Sequence, residues 1–218
     1  MLGFGDGVVV LMSIAALLYG LYTLISGKQP LFFQLSMAAV ACLLLGYVFD
    51  ICYYIVHGLL DEGYMIGYLG SIGSFFFLLT ASVGYMDGII DDGSPKIKKC
   101  RYIALVGPVL AIALWIPNMI ADVPLMTKVV YSILWISATL SSYFNLKHAI
   151  VPDMGFGFVK AIRPYNIVAL SFTFLQLIHL TLWNYCGWLP LLVSGTVFGV
   201  SCILMIVMAD RGVKKWTL

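Results

Sequence analysis

Apolar stretches of about 20 residues recur along the chain, and each can cross about 30 Å of hydrocarbon as a helix. The pattern predicts an all-α, polytopic membrane bundle with spans at 8–26, 31–57, 64–87, 102–121, 125–146, 162–184 and 188–209. Turn and charge signals separate them: Gly27-Lys28-Gln29-Pro30, Asp61-Glu62-Gly63, the stretch Asp91 to Arg101, Asp122-Val123-Pro124, Pro152-Asp153 and Cys186-Gly187. The segment from Val151 to Ile162, which sets Phe156 and Phe158 among glycines, reads as one able to lie along a membrane interface.

Composition narrows the picture. Hydrophobic residues make up 62% of the 218 and charged residues 10%, with a mean hydropathy of +1.02. A soluble fold of this size cannot hide so much apolar surface. In lipid the constraint falls on backbone polar groups, which helices satisfy internally. The length suits a single seven-helix transmembrane domain over 1–218, with no room for an attached soluble domain. The net charge of +2 says little about partners, and nothing points to nucleic acid; the expected first partner is the lipid bilayer.

The placement of the cations says more than their sum. Lys28, Lys96, Lys98, Lys99, Arg101, Lys147, Lys160, Arg163, Arg211, Lys214 and Lys215 flank alternate connections on one side, and only Lys128 falls on the other. By the positive-inside rule this puts the amino terminus outside and the carboxyl terminus in the cytoplasm, as in a multi-pass cell-membrane protein. Asp6, the only charge before Val8, then lies outside the first span. No basic segment and cleavage site precede that span, so it reads as a retained helix. Trp115, Trp183 and Trp188 fall close to span ends, where interfacial anchors belong.

A weak internal repeat is visible. Spans two and six open on Lys28-Gln29-Pro30 and Ile162-Arg163-Pro164; spans three and seven carry glycines and end at Asp87-Gly88 and Asp210-Arg211-Gly212. This suggests a 3+1+3 parallel pseudo-repeat of the kind found in some transporters, although proline at helix starts and glycine in membrane helices are ordinary features. Gly67, Gly70, Ser71 and Ser74, and Gly195 and Gly199, are spaced to let helix backbones approach. Packing is their expected role, with spans three and seven as candidates for the bundle centre.

Ionisable groups at membrane depth are costly unless paired or hydrated, so they mark candidate sites. Asp50 lies in span two with Tyr53, Tyr54 and His57 at helical spacing, and span six offers Gln176, His179 and Trp183. Asp50 and His179 fall at similar depth in the outer half. If they meet, they form an outward-facing ligand-binding pocket for an amine, a cation or a proton, with His179 able to respond to pH. The alternatives are a packing role alone, or a metal site from His57, His179 and Asp50 that lacks any tight ligand spacing. No metal or cofactor is expected.

The remaining polar residues read structurally. Asn145, Lys147 and His148 suit snorkelling side chains at the cytoplasmic end of span five. Asp87, Asp91 and Asp92 beside Lys96, Lys98 and Lys99 suit a solvated inner loop able to dock a partner. Pro108 and Pro117 are positioned to kink span four. Cys52 and Cys186, both towards the outer side, are the only pair considered for a bridge.

Known seven-helix classes fit poorly. Span seven has no lysine for a retinal Schiff base, and Gln29-Pro30 reverses the Pro-Gln motif of repeat-built sugar transporters. Gly195 to Cys202 resembles a Gly-x-x-x-Phe-x-x-Ser-Asp segment of the lysoplasmalogenase family, but Cys202 stands where that family's functional aspartate would be, so the activity is not carried over. The leading expectation is a binding or sensing protein, read by a cytoplasmic or membrane partner at the loops Asp91 to Arg101 and Lys147 to Arg163. The alternative is a secondary transporter of a small solute built from two three-helix halves. A membrane-embedded hydrolase comes third.

Overall fold

The computed structural model describes residues 4–58, 66–88, 93–153 and 157–217, and among these there is no strand. The helices are α1 Phe4–Ser26, α2 Leu31–His57, α3 Gly67–Ala81, α4 Pro95–Ala104, α5 Val106–Ile120, α6 Leu125–Ile150, α7 Phe158–Tyr185 and α8 Trp188–Thr217. A π-helical segment, Ser82–Asp87, prolongs α3. Taking α4 and α5 together, seven helices are long and apolar enough to cross a membrane.

Local chemistry sets the ends. Pro30 stands before the first turn of α2, and Gly58 closes that helix in the left-handed region at φ 75°. The Ser94 hydroxyl accepts from the Ile97 N–H at 3.4 Å and Pro95 opens α4, so Lys96 to Arg101 is helical where a loop was expected. Pro108 has no N–H to give to the Ala104 carbonyl, and the helix breaks there, between α4 and α5. The helix α7 starts at Phe158 instead of 162 and buries that phenylalanine, so the second part of the expected interfacial segment is interior helix; Phe156 lies outside the described residues. Similarly, α1 starts at Phe4 and α8 continues to Thr217, beyond the expected limits of 8 and 209.

Neighbouring pairs order the helices as a ring, α1, α2, α3, α6, α7, α8 and back to α1, with α2 also touching α8. The helix α5 stands outside this ring, against α6 and α7. Glycines bring the ring together at two seams. A Cβ on Gly46 would strike the Gly67 carbonyl, and one on Gly70 would lie 2.7 Å from the Gly46 Cα, so α2 and α3 pack backbone to backbone. A Cβ on Gly195 would lie 2.6 Å from the Gly5 carbonyl, which does the same for α8 and α1. The packing role expected of these glycines is what they perform. However, α3 and α8 are ring members like their neighbours, and the helix facing the centre is α7.

That inward face is a single stripe, Tyr165, Ala169, Phe172, Gln176 and His179, each almost fully buried. Tyr165 meets Ser36 of α2 at 2.9 Å. Phe172 packs on Phe75 of α3 and Phe198 of α8, with centroids 6.5 and 5.2 Å apart. The spacing of three and four residues keeps these side chains on one side of the helix.

Candidate functional site

His179 is held on both ring nitrogens. Its Nε2 lies 3.2 Å from Asp6 Oδ1 and its Nδ1 lies 2.8 Å from Ser194 Oγ. Ser194 is also 3.2 Å from the Leu191 carbonyl, one turn back in α8. Asp6 and His179 are 4% and 1% exposed, which makes this a buried carboxylate–imidazole pair. The contact depends on the α1–α8 glycine seam, since a Cβ on Gly5 would collide with the Leu191 carbonyl and lie 3.4 Å from His179 Cε1.

The carboxylate that meets the imidazole is therefore Asp6 and not Asp50. Asp6 was placed outside the first span because it precedes the apolar run; the helix nevertheless begins at Phe4 and carries Asp6 into the bundle. Gly5 and Gly195 were the available signal, two small residues near the same end of terminal helices, but nothing in their spacing paired those helices.

Asp50 is half-buried and accepts the N–H of Gly67, the first residue of α3, so it caps that helix from across the seam. It makes no hydrogen bond to His179 among the described residues. Tyr47, one turn earlier in α2, is partly buried and packs against the core. Tyr53 stacks on His57 with centroids 4.2 Å apart, and the exposed His57 ring lies 3.1 Å from the Tyr53 carbonyl. Phe49 continues that stack at 6.2 Å. Tyr53 and His57 thus form an outer aromatic ladder, away from His179, and the three groups considered for a metal do not converge. Tyr54 and Trp183 are half-buried.

Gln176 is, with Ser74 and Trp135, among the described buried side chains left without a hydrogen-bond partner. It is 0% exposed, and neither its amide nitrogen nor its amide oxygen has a hydrogen bond. It sits one turn from His179 and one from Phe172 in the inward stripe, so it points to the bundle centre. Below it Phe75, Phe172 and Phe198, all 0% exposed, make an apolar floor. Away from the inward stripe, a polar lattice ties α3 to α6 and α5 to α7: Tyr68 to Tyr131 at 3.1 Å, Asn118 to Thr181 at 2.9 Å and Asn184 to Asn118 at 2.8 Å. Buried amides without partners are rare because each costs about 1–3 kcal/mol, so this one calls for water or a polar ligand.

The opposite end holds a second cluster. Asp87, at the end of the π-helical segment, pairs with Lys147 and lies 3.1 Å from His148 Nε2. Burial alone would raise its carboxyl, but the hydrogen bonds from His148 and Lys147 hold it below its ordinary value. Asn145 approaches Ser82 at 3.4 Å in the same layer. Lys147 and His148 are 2% and 0% exposed, so these side chains do not snorkel; the π turn brings Asp87 round to meet them inside. Nearby, Asp210 accepts from Tyr19 at 2.9 Å and Lys214 at 2.7 Å. Cys52 and Cys186 are free thiols, not a bridge.

Comparison with family models, with curated proteins and with solved structures finds no match to this chain.

Proposed function

We propose that the chain is an integral protein of the cell membrane whose central site binds a small polar or cationic ligand and passes the event on through helix packing. The observation that carries this reading is Gln176, a fully buried amide with both ends unpaired beside the Asp6–His179 pair. Asp50, Tyr47 and Trp183, all partly buried, lie towards the same end of their helices. The cation distribution supports an amino-terminal end outside and a carboxyl-terminal end in the cytoplasm. Ligand entry from outside then alters contacts between α7, α8 and α1, and the Asp87 cluster ties such movement to the cytoplasmic face, where a separate protein reads it.

A secondary transporter is the second reading, favoured by the neighbour order. In the ring α1, α2, α3 are followed by α6, α7, α8, with α5 apart, as two parallel halves require. The glycine seams do not repeat in that way: α3 uses its glycines against α2, whereas α8 uses its glycines against α1.

The test is a thermal-shift screen of the purified full chain with amines, amino acids and inorganic cations, followed by reconstitution into vesicles. Binding that is lost in Gln176→Met and Asp50→Asn, without solute flux, supports the sensor; accumulation in the vesicles supports the transporter. Ligand responses unchanged in both variants would overturn the site.

A further inference from the structure

We infer that a cleft between α5 and α6 holds an anionic phospholipid of the surrounding bilayer, with one acyl chain in the cleft and the headgroup phosphate on Lys128. The site lies apart from the central stripe and does not depend on what binds there. The cleft has a volume of about 260 Å³ and is walled by Ile112 and Trp115 of α5 and by Ser132, Trp135, Ile136 and Thr139 of α6. Its lining offers almost nothing polar to an occupant, since the Ser132 hydroxyl already donates to the Lys128 carbonyl at 2.8 Å. Water needs two to four polar partners to settle in such a space, so an apolar chain fits it better than water does. At its open side Ile112, Ile136 and Leu140 are 50, 63 and 44% exposed. Both helices are parts of segments long and apolar enough to cross a membrane, and in that setting the medium that meets the opening is hydrocarbon. A chain therefore enters from the side that faces lipid.

The residue above the cleft selects the headgroup. Lys128, Ser132, Trp135 and Thr139 follow one another by four, three and four residues, which puts them on one face of α6, the face that lines the cleft. Lys128 stands one turn, about 6 Å, nearer the start of α6 than Ser132. Helix side chains lean towards the amino terminus, so Lys128 extends away from the cleft and towards the membrane interface. Among the described residues its ammonium makes no ion pair, and it is the only lysine or arginine at this end of the bundle. A chain in the cleft hangs from a glycerol phosphate at interface depth, where the stripe ends in this lone cation. A phosphate that carries no cation of its own gains most from it, which favours an anionic headgroup over a zwitterionic one. Asp122, exposed in the connection between α5 and α6, opposes any further negative charge and limits the site to one anionic group. By the cation distribution this end faces outside, so the lipid comes from the outer leaflet.

The purified full chain in mild detergent is titrated with phosphatidylglycerol or with phosphatidylcholine of the same acyl chains, and bound lipid is counted by native mass spectrometry. The same lipids brominated on an acyl chain report contact by quenching tryptophan fluorescence, in a background of Trp183→Phe, Trp188→Phe and Trp216→Phe that leaves Trp115 and Trp135. The expected result is quenching by both lipids and an affinity about fivefold higher for phosphatidylglycerol. Lys128→Gln should bring that ratio close to one and keep the quenching, whereas Lys128→Arg should keep both. Thr139→Phe, which fills the cleft, should reduce bound lipid and quenching for both headgroups in a chain that still elutes as a single species. Lys128 is only partly buried, so its variants decide the headgroup question even where the larger side chain disturbs folding. Equal affinity for the two lipids, a preference unchanged in Lys128→Gln, or quenching unchanged in Thr139→Phe would overturn the site. A dimer that Thr139→Phe dissociates would also overturn it, because a second copy would then be the occupant.

Discussion

Gln176 leaves both ends of a buried amide without a hydrogen-bond partner. An amide with neither end paired stabilises nothing in the empty bundle, so Gln176→Met, close in volume, should raise stability by about 1–3 kcal/mol, seen as a higher thermal midpoint in detergent. The same change should remove ligand binding. A midpoint that falls would mean the amide is already satisfied. Gln176 and His179 were legible in the sequence because polar groups at helical spacing inside an apolar run stand out. Asp6 was not, because a carboxylate just ahead of an apolar run looks the same whether the helix end hangs in water or is drawn into the core. Asp50 stood out for the right reason, its depth, but its hydrogen bond goes to the start of α3 and not to the imidazole.

At the scale of elements, the glycine seams and the π-helical end decide how helices meet. Gly70→Ala should cost about 1–3 kcal/mol, because its Cβ meets the Gly46 backbone, which cannot yield as a side chain would. Gly7→Ala, with nothing within 4 Å of the added methyl, should be neutral or stabilising in the same thermal assay. The Asp87 clasp predicts a direction with pH. Its folded carboxyl titrates below its unfolded value, so the stabilisation is fully present above about pH 4 and is lost as the pH falls through the folded value. Asp87→Asn should therefore flatten the acid limb of a stability profile. The helices themselves were readable from apolar periodicity, and most ends from proline and glycine. What escaped was Lys96 to Arg101 as helix, since charge was taken for loop when Ser94 and Pro95 form a helix start, and the π turn, which no residue pattern announces.

For the whole molecule, seven apolar helices and one-sided cations lead to one topology. Epitope tags at the two termini, probed in intact and in permeabilised cells, should show the amino-terminal tag accessible from outside and the carboxyl-terminal tag only after permeabilisation. The reverse would put the Asp6 layer on the cytoplasmic side and the ligand's route with it. The number of helices was legible and their circular order was not, because small residues mark a close contact without naming the helix on the other side of it.

Since the six-membered ring closes without α5, that helix can be thought of as a buttress and not a wall. Val109, Ile112, Ile116 and Ile120 on its outer flank are 50–77% exposed and touch little of the protein. Evolution is free to trade one oily side chain for another there, and the packed stripe behind α6 and α7 would not register the exchange.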